Sequence, residues 1–84
     1  MTALVLPFPR SRDRGFILRH AGIMAGASTT RKAEGHLQRQ LTIQHETLVR
    51  RGVAPVMVDA ELRTIENNIR AARWRFLLAP GGAA

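Results

Sequence analysis

The sequence predicts an all-α fold: a long antiparallel helical hairpin with a shorter N-terminal helix packed on it and an extended N-terminal arm. Three observations carry this expectation. Val58, Leu62, Ile65, Ile69, Ala72 and Phe76 recur at alternating spacings of four and three, which aligns them in one apolar seam along a helix. Ala33, Leu37, Leu41, Gln44 and Leu48 form a matching seam earlier in the chain. Between the two, Gly52-Val53-Ala54-Pro55 places a helix stop and a helix start side by side, and two long helices joined by so short a turn fold back on each other.

The elements follow in order. Leu4-Val5-Leu6-Pro7-Phe8-Pro9 is an arm, because Pro7 and Pro9 fix their own backbone and bias their predecessors toward extended conformations. Residues 1–10 are assigned to this arm. Ser11 is the expected N-cap of a first helix from about Arg12 to Ala25, with Asp13 in its first turn to meet the positive end of the dipole. Phe16, His20, Ile23 and Ala27 form its expected apolar face, flanked by Ile17 and Met24. Ser28-Thr29-Thr30 starts the second helix, expected from about Thr30 to Arg51 and stopped at Gly52. Pro55 opens the third, expected to reach Leu78 before Pro80-Gly81-Gly82 ends it and residues 79–84 fray. Ala71, Trp74 and Leu78 lie on the side of this helix away from its seam. The expectation is that the first helix and the arm cover them; a partner or a second copy is the alternative.

Eighty-four residues make a single small domain, and 45% hydrophobic content is that of a globular chain. The chain has no cysteine, which excludes disulfides, zinc–thiolate centres and thiol nucleophiles. No apolar run has the length of a membrane span, and the charges follow the apolar start instead of preceding it as in a signal peptide. The expected setting is the cytoplasm, without a membrane partner.

No catalytic constellation is legible. His20, His36 and His45 show no four-residue pairing and no His-Glu-x-x-His pattern. His20, on an apolar stripe, reads as a packed histidine and not a ligand. The serines fall where caps and turns need them, and none lies in a nucleophile elbow. The expectation is a non-enzymatic protein with no metal and no cofactor.

Charge is the more informative feature. The net charge is +7, and twelve of the thirteen basic residues are arginine, Lys32 being the lysine. Such a balance favours acidic partners, although an arginine-rich, alanine-rich composition is also what a GC-rich genome encodes by default. Lys32, His36, Arg39 and Arg50 share a face of the second helix opposite its seam. Arg10, Arg12, Arg14, Arg19, Lys32, Arg39 and Arg50 are therefore the candidate contacts to DNA or RNA phosphates. No helix-turn-helix, zinc-finger or RNA-recognition pattern accompanies them. The alternative is a protein-interaction module, a small modulator or inhibitor, using Leu6 and Phe8 of the arm with Arg63, Arg70 and Trp74, since aromatic and arginine side chains are the usual interface anchors. A homodimer burying the second apolar strip is a third reading.

Several segments together carry a resemblance: Leu6-Pro7-Phe8-Pro9, Leu37 through Leu41, Arg50-Arg51-Gly52-Val53-Ala54-Pro55, Glu61-Leu62-Arg63, and Trp74 followed by Pro80-Gly81-Gly82-Ala83-Ala84. In these the chain resembles a family of small uncharacterised alpha-proteobacterial proteins, domain of unknown function 6074. Gly35 and Thr30-Arg31-Lys32 depart from the more alanine-rich second-helix start of that pattern. The resemblance implies a bacterial cytoplasmic protein encoded near mobile or prophage-derived genes, and it carries no catalytic or binding residue.

Overall fold

The computed structural model describes residues 9–78. A 3-10 turn over Arg10–Arg12 leads into three helices, α1 (Arg14–Ala25), α2 (Thr30–Arg50) and α3 (Pro55–Leu78). Among the described residues the architecture is all-helical. The proposed positions Leu6 and Phe8, most of the arm, and the tail 79–84 lie outside the described residues.

The N-terminal boundary corrects one expectation. Ser11 is not the cap of α1. Asp13 is, its carboxylate accepting the Phe16 backbone N–H at 3.0 Å. That bond, and then the Arg10 guanidinium at 2.6 Å, hold the Asp13 carboxyl below the usual carboxylate range. Arg10, expected in the extended arm, instead opens the 3-10 turn after an extended Pro9. The α2 bounds and the start of α3 meet the expectation closely, and α3 runs to Leu78, the last described residue. Thr29 caps α2, its hydroxyl accepting from the Lys32 N–H at 3.1 Å. Gly52 follows α2 with a φ of 80°, the left-handed conformation that glycine adopts without a Cβ clash.

The seams bury as their spacing dictates. Ala33 and Leu37 of α2 are fully buried with Ile65 and Ile69 of α3, and Ala72 joins them. A second cluster of Leu48, Val53 and Val58, with Met57 and Leu62 against it, closes the α2–α3 junction. Away from the junction, Arg70 of α3 reaches Glu34 of α2 at 2.7 Å. Phe76 departs from its seam: it is 40% exposed, its ring lying over Gly22 of α1, where an added Cβ would sit 3.7 Å from the ring edge.

The first helix buries a different face from the one expected. Phe16, Ile17, His20, Ala21 and Met24 are buried, whereas Ile23 is 47% exposed. The reason is that α1 packs on both α2 and α3. Two neighbours bury a broader arc, centred between Phe16 and Ala21, and Ile23 falls at its edge. The same placement corrects the α1 part of the expectation for the second strip; the arm's part lies outside the described residues. α1 lies on the seam side of α3 and leaves Ala71, Trp74 and Leu78 exposed.

Candidate functional site

The turn before α1 is clamped to α3 by a small polar cluster. The Ser11 backbone N–H and hydroxyl both donate to the Glu61 carboxylate, at 2.9 and 2.7 Å. Asn68 Nδ2 donates to the Ser11 carbonyl at 2.9 Å. Ser11 is buried, so these bonds satisfy groups that water does not reach.

The clamp creates a groove of about 420 Å³ between the turn, α1 and α3. Arg12 and Arg14 line it from one side and Arg75 from the other. Ile17, Leu18, Ala71 and Ala72 give it an apolar lining, and Asn68 adds a polar one. Among the described residues, none of these three arginines has a carboxylate within ion-pair distance. Arg75 was not among the residues singled out from the sequence. Its only local signal is its spacing from Asn68, Ala71 and Ala72, which aligns the four along one side of α3.

The remaining basic candidates are dispersed. Arg10 is engaged internally, paired with Asp13 and with its guanidinium carbon 5.1 Å from the centroid of the Phe16 ring. Arg19 is exposed on α1, and Lys32, Arg39 and Arg50 are exposed along α2. Arg39 borders a shallow depression of about 370 Å³ with Gln38, Thr42 and Ile43. The structure therefore brings Arg12 and Arg14 together with Arg75 in one concave site, and does not bring Lys32, Arg39 or Arg50 to it.

His36, read as part of the outer basic face, turns inward. Its Nε2 lies 2.8 Å from Nδ1 of His20, so the two rings share a hydrogen bond between α2 and α1. Phe16 packs edge-on against His20, with ring centroids 4.6 Å apart. Burial lowers the pKa of both histidines, and each is pushed further down by nearby positive charge: His36 and Arg19 beside His20, Arg39 beside His36. Among the described residues no three His, Asp or Glu side chains converge as a metal site would require, and no helix is long and apolar enough to cross a membrane.

Of the protein-interaction candidates, Arg63 is exposed and Trp74 is 59% exposed. Arg70 is held internally. Its Nη1 and Nη2 donate to Glu34 at 2.7 and 2.8 Å, and its Nε donates to Glu66 at 3.0 Å. Glu34, and after it Glu66, raise the Arg70 pKa, while the Arg70 guanidinium lowers that of Glu34.

A sequence model described as a family of unknown function, DUF6074, matches residues 1–84, the whole chain. The chain belongs to that family. No curated protein and no solved structure matches it. Membership in DUF6074 assigns no role to any residue, so a functional reading rests on the surfaces described above.

Proposed function

We propose that this DUF6074 chain is a non-enzymatic binding module that contacts nucleic acid through phosphate, on a scaffold in which α2 and α3 form an antiparallel hairpin and α1 packs across it. The Glu34–Arg70 pair and the Leu48–Val58 cluster support the scaffold. The observation that carries the ligand class is the gathering of Arg12, Arg14 and Arg75 around one groove with no carboxylate to neutralise them among the described residues. Arginine matches phosphate geometry and keeps its charge at any physiological pH. Arg19, Lys32, Arg39 and Arg50 add cationic surface outside the groove.

The test is fluorescence anisotropy of labelled DNA and RNA oligonucleotides at about 50 and about 200 mM salt. Binding weakens steeply across that range, and Arg12→Ala with Arg75→Ala reduces both affinity and salt slope. Salt-independent binding, or none at low salt, overturns the reading.

A second reading has its own observation. Trp74 and Leu78 are 59% and 72% exposed at the end of α3, a surface suited to a protein partner or a second copy. This reading also takes in Arg63, which is exposed, and the sequence candidates Leu6 and Phe8, which lie outside the described residues. Removal of residues 1–9 with retention of helical circular dichroism separates the arm's contribution. A strict monomer in sedimentation over a range of concentrations excludes self-association.

A further inference from the structure

We infer that the groove between the N-terminal turn, α1 and α3 takes a single nucleic-acid strand, one nucleotide unit at a time, and discriminates against duplex; this rests on the nucleic-acid reading above. Size is the first argument. At about 420 Å³ the groove falls within the roughly 300–1,000 Å³ range of small-ligand sites. One nucleotide unit can enter a groove of this size, whereas a paired, stacked helix can only lie across its mouth.

The second argument is the mixed lining. Three arginines would suffice for a duplex, which presents phosphates outward and keeps its base faces stacked inside. The groove also offers apolar wall on both sides, Leu18 from α1 and Ala71 from α3. That surface is idle against a duplex and is covered by an unstacked base or its sugar. A strand whose phosphate meets Arg12, Arg14 or Arg75 buries both kinds of lining at once. Asn68 donates through Nδ2 to Ser11, which leaves its side-chain oxygen as an acceptor for a base amino group.

The third argument is continuity. Trp74 follows Ala71 by three residues on α3, which makes them neighbours on the helix surface, and its ring is exposed. A strand leaving the groove past Ala71 meets this indole, and base–aromatic stacking is the usual device by which proteins hold unpaired strands without sequence preference.

Trp74 is the chain's one tryptophan, so its fluorescence reports the event directly. The intact chain is titrated at about 50 mM salt with a single-stranded oligonucleotide of roughly ten nucleotides and with the duplex of the same sequence. The single strand quenches Trp74 and binds about tenfold tighter than the duplex, the size of effect one stacked base supplies. Ala71→Leu, which fills the groove, and Leu18→Gln, which makes its opposite wall polar, each lower single-strand affinity by about that factor and so narrow its advantage over the duplex. Both positions are exposed, and circular dichroism checks that the helices persist. Equal affinity for the two forms, or single-strand binding indifferent to both substitutions, overturns this inference while the nucleic-acid reading stands. Absence of binding to either form overturns both.

Discussion

His20 on α1 and His36 on α2 share one hydrogen bond, with 2.8 Å between Nδ1 of the first and Nε2 of the second. The two facing nitrogens have room for one proton. A first added proton leaves one ring donating to the other, whereas a second sets two N–H groups against each other. The pair therefore titrates as a unit, and its neighbours Arg10, Arg19 and Arg39 oppose each step.

Stability should accordingly fall in mild acid. Both folded-state pKa values lie below the model-peptide value of 6.5. As pH drops through that value the unfolded chain takes up protons that the folded chain refuses, so the unfolded state gains. The contribution is intact above about pH 6.5 and is lost progressively below it. Thermal midpoints at roughly pH 8, 6.5 and 5 should decline in the natural sequence, and the double substitution His20→Gln with His36→Gln should flatten the decline. Asp13 and Glu34 act in the same direction from about pH 5 downward, so they enter only at the acid end of that range. An unchanged decline in the double variant would sink the assignment.

The bidentate Arg70–Glu34 pair joins α2 to α3. Both side chains are more than one-third exposed, at 39% and 36%, so solvent screening limits what the pair contributes. Arg70→Ala should destabilise by about 1 kcal/mol, the upper end for such pairs because of the parallel geometry. Arg70→Lys should not restore it, since an ammonium cannot make the fork. Urea denaturation reads both, and a loss that persists undiminished in high salt would mean packing and not charge is responsible.

Glu61 accepts two hydrogen bonds from Ser11. Glu61→Ala leaves those donors unsatisfied in a buried turn and should cost about 1–3 kcal/mol. For a domain this small each kcal/mol corresponds to a shift of about 4–8 °C in Tm. It should also weaken oligonucleotide binding, because Arg12 and Arg14 lose their anchorage. Retention of both Tm and affinity would show that the clamp is dispensable.

Two glycines should respond oppositely to alanine. Gly52 has a φ of 80°, and a Cβ there costs roughly 1–2 kcal/mol. Gly35 lies inside α2, where an added Cβ would meet only the mobile end of the Arg39 side chain, at 3.4 Å. Gly35→Ala should stabilise by up to about 1 kcal/mol through helix propensity. Denaturation midpoints moving in the same direction would contradict this.

How much of this was legible in the sequence depends on distance along the chain. The seams from Ala33 to Leu48 and from Val58 to Ala72, and the breaks at Thr29, Gly52 and Pro55, were readable because spacing and capping are local properties. The cap of α1 was misplaced on Ser11 because nothing near it shows that Glu61 claims its hydroxyl. Ile23 was misjudged because a single stripe presumes a single neighbour, and α1 has two. Grouping His36 with Lys32, Arg39 and Arg50 opposite the seam points it outward, but its place on α2 is nearer the seam's margin, where the arrival of His20 decides its orientation. Arg75 gained its meaning from Arg12 and Arg14, brought to it by the fold.

The Ser11–Glu61 clamp also has a consequence in time. Its two residues are separated by 50 positions, and at a synthesis rate of about 5–20 residues per second the carboxylate follows the serine by roughly 3–10 s. Helices form in about a microsecond. A nascent chain therefore has the α1 and α2 segments for seconds before the wall on which they pack, and the arginine groove comes into being only when translation has passed Arg75. A ligand held there engages a chain whose synthesis has passed Arg75 and none that stops before it.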